Sequence, residues 1–251
     1  MSLSVLSVAY PLAIVGLDEA GGSEQILAQL DRGLAERGHH SVVIACEDSR
    51  VRGKLVPIPR PQGKLTDELR AASQHWVREA IHHALDRWSF DVIHMHALEF
   101  YQYLPPPGIP VLVTLHLPIN WYPPEIFRVD RPDTWFQCVS ASQQQCCPPS
   151  HMVLPFIGNG VDLRDLGASV RKRGYVLALG RICPEKGFHV AIDAAVQAGL
   201  PLLIAGKVFP YPSHEEYFRS ELLPRIDGRR VRLVGPVFGA RKRRLLAGAT
   251  C

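Results

Sequence analysis

Short apolar runs recur along the chain, and most are followed by a stretch in which apolar residues return every three or four positions. The runs are 3–9, 41–45, 54–59, 91–96, 111–115, 135–139, 152–154, 175–179, 202–205 and 231–234. Their length and continuous hydrophobicity predict strands buried on both faces, with the proline-closed run 54–59 at an edge. Between them the helical period appears. Ser23 is a candidate N-cap for a helix with Ile26, Leu27, Leu30 and Leu34 on one face, stopped by Gly38. The longest helix spans 66–88, with Leu65, Leu69, Ala72, Trp76, Ala80, Ala84 and Trp88 as its core stripe. A further helix over 188–198 would turn Val190, Ala191, Ala194, Ala195 and Ala198 inward.

Strands alternating with helices imply parallel sheets. A polar, glycine-bearing stretch at 163–174 reads as a linker. The expectation is an α/β chain of two doubly wound, Rossmann-like lobes, 1–164 and 165–251, with a cleft between them.

Composition narrows the class without naming the chemistry. The chain has 251 residues, 47% of them hydrophobic and 21% charged, and room for two modest domains. A net charge of +4 is too small to imply nucleic acid. Much of the excess lies late, at Arg225, Arg229, Arg230, Arg232, Arg241, Lys242, Arg243 and Arg244. These residues read as a solvated face, with a membrane-surface patch as the alternative. The six cysteines include no Cys-x-x-Cys pair, which fits a reducing cytoplasm rather than a disulfide framework or a zinc site. No basic residue precedes the apolar start, and Tyr10-Pro11 breaks it, so export is not expected.

Chemistry concentrates where the strands end, as it does in doubly wound sheets. The sharpest feature is Gly180-Arg181-Ile182-Cys183-Pro184-Glu185-Lys186-Gly187, a tight turn between a strand and a helix. Gly180 would let a ligand approach the backbone, Pro184 suits a first helical position, and Arg181 and Lys186 stand beside the helix-start amides. Three positive features at one spot suit a phosphate. Surface ion pairs are the other reading of both cations. The remaining strand-end features are Gly21-Gly22-Ser23-Glu24, His94 and His96, His116, and Asn159-Gly160-Val161-Asp162.

Several nucleotide chemistries are set aside. Gly22 stands where a Walker A lysine would have to be, and no Gly-x-Gly-x-x-Gly follows a strand. No Asp-x-Asp occurs, which weakens a metal-held diphosphate. His75, Glu79 and His83 recur on one face of the long helix, as a zinc site or, in the favoured reading, as a solvated polar face.

Taken together, Gly21-Gly22-Ser23-Glu24, the Asp91–His96 segment, Thr114-Leu115-His116, Asn159-Gly160-Val161-Asp162 and Gly180-Arg181-x4-Lys186-Gly187 resemble the family 4 retaining glycosyltransferases of GT-B fold. The resemblance spans nearly the whole chain. It implies transfer of a sugar from a nucleotide-sugar donor to a saccharide, lipid or small-molecule acceptor, with retention of configuration and no metal or other cofactor. It assigns His116, Arg181 and Lys186 to catalysis, with the two cations holding the donor diphosphate. Gly21, Gly22 and Gly180 join them in donor binding, and Glu24, His96 and Trp121 fall on the acceptor side. No nucleic-acid partner is implied. A cytoplasmic protein is expected, with peripheral contact at the inner face of the membrane as the alternative that the basic late segment leaves open.

One departure stands against this. The family's second lobe carries a Glu-x7-Glu pair on the donor sugar and ribose, and this sequence has none. The sequence therefore reads as a fragment or a truncated chain with weak or no transfer and open sheet edges in its second lobe. A non-catalytic binding remnant and a GT-B-type nucleotide-sugar epimerase are the alternatives.

Overall fold

The computed structural model describes residues 2–19, 21–63, 66–163 and 170–251. These fall into two compact units, Met1–Gly160 and Val161–Cys251. The lobe boundary expected at 164 and 165, the centre of the expected linker, and Leu65 of the long helix lie outside the described residues.

The first unit is built on seven parallel strands: β1 (Ser4–Val8), β2 (His40–Cys46), β3 (Lys54–Ile58), β4 (Val92–Met95), β5 (Val111–Leu115), β6 (Thr134–Cys138) and β7 (Val153–Leu154). Their order is β3-β2-β1-β4-β5-β6-β7. The chain winds outward from β1 to the β3 edge, then crosses back through a helix to β4 and outward again. The reversal lies between β1 and β4, and the carboxyl ends of those two strands open the usual ligand crevice. Each central strand feeds both faces. In β2, Val42 and Ile44 join the main core, whereas Val43 and Ala45 join a smaller cluster with Leu27 and Ala28.

Three helices accompany this sheet: α1 (Gly22–Glu36), α2 (Asp67–Arg87) and α3 (Ala141–Gln145). Helix α1 is capped by Gly21, which offers no side chain, and Ser23 donates instead to Glu24 Oε1 at 3.0 Å. Its buried face is Glu24, Leu27, Ala28 and Asp31, and the expected core residue Leu30 is 41% exposed. The cause is Asp31. Fully buried, it accepts from Ser41 Oγ at 2.8 Å and from the backbone amides of Arg52 and Gly53, and this turns a polar position inward. Gly38 takes a left-handed φ of 77°, the glycine stop that the sequence predicts. In α2 the buried face is Ser73, Val77, Ala80, Ile81 and Ala84, while Trp76 and Trp88 cover its margin. Thr66 caps α2 through a bond from the Leu69 amide at 3.2 Å.

The second unit has three parallel strands in the order β10-β9-β8: β8 (Val176–Leu179), β9 (Leu202–Ala205) and β10 (Val231–Leu233). Helices α4 (Phe188–Gln197), α5 (Pro212–Tyr217) and α6 (Gly239–Gly248) accompany them. Helix α4 buries Phe188, Ile192 and Ala195 rather than the alanine-rich side, and Val190 is 58% exposed. A helix apolar nearly all round has two possible stripes, and the one with Phe and Ile removes more area from water. The β8 edge, expected to be bare, is met by the chain itself: the Thr250 amide donates to Tyr175 O and the Leu177 amide to Cys251 O.

Candidate active site

In the first unit the site is a row of histidines at adjoining strand ends. His94 lies within β4, His96 follows it, and His116 follows β5. The parallel register of β4 with β5 brings them side by side. The rings of His94 and His96 are 4.0 Å apart between centroids, and those of His96 and His116 are 5.3 Å apart. His96 Nδ1 lies 3.0 Å from His116 Nε2, and His94 Nε2 lies 2.7 Å from Thr114 Oγ1. The His96 amide donates to Val8 O at 3.0 Å, which ties the end of β4 to the end of β1.

Burial keeps these rings neutral. It pushes His94 down to about 3 and His116 to about 4, with repulsion between the rings adding to the effect at His94. His96 is displaced downward by burial and by both neighbours. His96 Nε2 is buried without a partner among the described residues. A bare lone pair there costs less than an orphaned N–H, so the arrangement assigns the His96 proton to Nδ1, donating to His116 Nε2. The proton of His116 then sits on Nδ1.

The loop after β5 is held around this ring. Gln143 Nε2 donates to Leu115 O at 2.8 Å and Leu117 O at 2.7 Å, and the Leu117 amide donates to Tyr122 Oη at 3.3 Å. Trp121 ends the first of two 3-10 turns in this loop, Ile119–Trp121 and Pro124–Arg128, and is 46% exposed. Across the sheet reversal, Gly21 and Gly22 start α1. A Cβ on Gly21 would fall 1.7 Å from Glu24 Oε2, so the buried Glu24 carboxyl lies over the Gly21 backbone. A Cβ on Gly22 would meet nothing within 4 Å. Asn159 and Gly160 are exposed.

In the second unit Gly180 and Arg181 follow β8. Pro184–Lys186 forms a 3-10 turn, not the first turn of the helix: Gly187, at a left-handed φ of 61°, separates it from α4. The expected placement of Pro184 at a helix start is thereby corrected. The turn is fastened to the next strand end, with the Gly180 amide donating to Ala205 O and the Ile182 amide to Lys207 O, each at 3.0 Å. Within the chain itself the close approach is at Gly206. A Cβ on Gly206 would stand 2.1 Å from Gly180 O, while one on Gly180 would meet only the Phe188 ring at 4.0 Å.

Arg181 is partly buried, Lys186 is exposed, and neither forms an ion pair among the described residues. Arg225, by contrast, is paired with Asp193 at 2.9 Å and Glu221 at 3.3 Å. Lys207, which the sequence reading passed over, brings a third cation to the same sheet end and stands 5.5 Å over the Phe209 ring. Its signal was legible, since Gly206-Lys207 follows an apolar strand just as Gly180-Arg181 does. His75, Glu79 and His83 lie exposed on α2. Among the described residues the metal-ligating types converge elsewhere, at Cys183, Glu185 and His214. No described helix is long and apolar enough to cross a membrane.

Comparison with known proteins shows the family and the fold. The sequence profile of Glycosyltransferase Family 4 matches residues 20–146. Among solved structures the chain is similar to AviGT4, a glycosyltransferase involved in avilamycin A biosynthesis, at 25% identity and a TM-score of 0.67, over 98% of this chain and 68% of that one. WaaG, a glycosyltransferase involved in lipopolysaccharide biosynthesis, matches at 15% identity and 0.60, over 98% and 73%. The catalytic domain of starch synthase IV from Arabidopsis thaliana, bound to ADP and acarbose, matches at 14% and 0.63, over 99% and 77%. No curated protein matches the chain.

Proposed function

The chain belongs to glycosyltransferase family 4 and has the α/β architecture of GT-B glycosyltransferases, and from that premise we propose that it binds a nucleotide-sugar donor and transfers the sugar with retention of configuration. The observation that carries the reading is the pair Arg181 and Lys186. Both cations flank one turn, without an ion pair among the described residues, at the carboxyl end of β8. In this reading they hold the donor diphosphate and stabilise the charge that grows as the nucleoside diphosphate leaves. Fixed charge of this kind contributes on the order of 3 kcal/mol per group to the transition state. Lys207 adds to the same field. The fold neighbour solved with ADP is consistent with a nucleotide ligand.

His116, protonated at Nδ1, donates to a hydroxyl of the sugar, and Gly21 and Gly22 let the start of α1 approach the donor. Glu24, His96 and Trp121 stand on the acceptor side, the acceptor being a saccharide, a lipid or a small molecule. No metal takes part in the transfer step. The protein works in the cytoplasm, and Arg241, Arg243 and Arg244 of α6 favour contact with the inner face of an anionic membrane.

A second reading is that the chain binds donor or acceptor without transferring a sugar. One experiment addresses both. Uridine, guanosine and adenosine diphosphates are screened for thermal protection of the wild type and of Arg181→Ala and Lys186→Ala. At a hundredfold excess over Kd a bound nucleotide adds about 2.7 kcal/mol. Protection lost in both variants supports the phosphate assignment, and protection unchanged in Lys186→Ala removes it. Release of nucleoside diphosphate from a nucleotide sugar then separates a transferase from a binding module.

A further inference from the structure

Beside the cationic turn lies a cluster that the transfer reaction does not use. The Cys183 thiol, a Glu185 carboxylate oxygen and a ring nitrogen of His214 all lie within 4.8 Å of one another. Two segments supply them: Cys183 and Glu185 flank Pro184 in the turn after β8, and His214 stands in the first turn of α5. Cys183 is 1% exposed and His214 is 9% exposed, while Glu185 reaches solvent.

His214 points to a ligand. Its Nδ1 is buried with no hydrogen-bond partner among the described residues. The ring is held by the edge-on Tyr211 ring at 5.0 Å, and the helix amide of His214 bonds to Tyr211 O at 3.0 Å. Native structures normally satisfy a buried ring nitrogen, and a bare lone pair on His214 Nδ1 is a ready metal ligand. The Cys183 Sγ contacts Arg181 O at 3.6 Å and also interacts with the Lys186 amide and the Glu185 carboxylate, so thiol and carboxylate already meet. A thiol, an imidazole and a carboxylate around one point make a ligand set for a borderline-soft divalent ion.

We infer that Cys183, Glu185 and His214 bind a zinc-class divalent cation, which ties the turn bearing Arg181 and Lys186 to the start of α5. The mixed sulfur, nitrogen and oxygen donors select zinc over magnesium or calcium, which take oxygen ligands. Tetrahedral zinc with bonds of about 2.0–2.3 Å sets its ligand atoms roughly 3.3–3.8 Å apart, so small side-chain movements close the site. Charge also fits. A thiolate and a carboxylate together cancel the ion's two positive charges, so Arg181, close enough to act on both Glu185 and His214, gains no net cationic neighbour. Three protein ligands leave a fourth position for water on the side where Glu185 meets solvent. The ion fixes the turn, and its binding does not depend on the proposed transfer.

Cobalt(II) tests this as a spectroscopic probe. The untagged 251-residue chain is stripped with a chelator and titrated with Co2+, then with Zn2+. The expected result is a thiolate-to-cobalt charge-transfer band that saturates at one equivalent and is displaced by Zn2+. Cys183→Ser should abolish the band, His214→Ala should weaken Co2+ binding at least about tenfold, and Cys251→Ser should change neither. Absence of the band, or its persistence in Cys183→Ser, overturns the assignment. Because both buried variants bear on folding, the exposed Glu185→Ala supplies a second reading. Zn2+ should raise the Tm of the wild type more than that of Glu185→Ala, and equal shifts would overturn the site.

Discussion

His96 Nδ1 lies 3.0 Å from His116 Nε2, so with the His96 proton on Nδ1 the buried ring sets which nitrogen of its neighbour carries a proton. The consequence is measurable without any substrate. Imidazole 15N shifts of the wild type should show His116 as the Nδ1–H tautomer. His96→Phe keeps an aromatic ring and removes the donor, and His116 should then move toward the Nε2–H form that predominates in free imidazole side chains. An unchanged tautomer in that variant would show that some other group holds the proton.

The same histidines make the fold sensitive to acid. In the unfolded chain each titrates near 6.5, whereas in the fold His94 is pushed to about 3 and His116 to about 4. Below pH 6.5 the unfolded chain takes up protons that the native rings refuse, so stability falls as the pH falls and is flat in these groups above about pH 7. Each histidine contributes a slope of about 1.4 kcal/mol per pH unit between its two pKa values. Urea unfolding at pH 7.5, 6 and 5 should show this decline, with a shallower slope in His116→Asn. Equal slopes in the two proteins would remove the cluster as the cause.

Two glycines at the second unit's strand ends should behave oppositely. Gly206→Ala places a methyl group 2.1 Å from the Gly180 carbonyl, backbone against backbone, and should cost about 2–4 kcal/mol by denaturant unfolding. Gly180→Ala meets only ordinary contact with Phe188 and should change stability by less than about 1 kcal/mol. A Gly206→Ala protein as stable as the wild type would mean that the β8 and β9 turns are not locked together.

Arg131 is 6% exposed and donates to the carbonyls of Pro105, Pro106 and Ile109 at 2.8–2.9 Å, fastening a proline-rich loop to the start of β6. Arg131 also donates to Pro132 O and Thr134 Oγ1, so Arg131→Met keeps much of the apolar stem but removes the donor of five acceptors, and a loss of about 3 kcal/mol is expected. Arg131→Lys should recover little, since an ammonium lacks the planar fork that reaches them all. Thermal unfolding of the two variants checks both statements.

The strands were legible because both faces of a doubly wound sheet are buried, which writes each strand as a continuous apolar run. Val111–Leu115 and Leu202–Ala205 match their expected spans at both ends. Which side of a helix faces the core was less legible. In α1 the buried Asp31 answers to Ser41, Arg52 and Gly53, residues 10 to 22 positions away, and no helical period reveals such partners. Candidate site residues could be named from strand-end motifs, since a doubly wound sheet gathers its strand ends along one edge. Their bonding could not.

By itself, then, the sequence determined the alternation of strands and helices, the cationic turn at Arg181 and Lys186, and the family, because these are written locally as period, glycine and charge. Only the tertiary structure decided that His96 adjoins His116, that Gly206 packs against the Gly180 carbonyl, and that Cys183, Glu185 and His214 converge. Each of these depends on distances of a few ångströms between segments far apart in the chain. Parallel pairing and helix packing set those distances, and no spacing along the sequence records them.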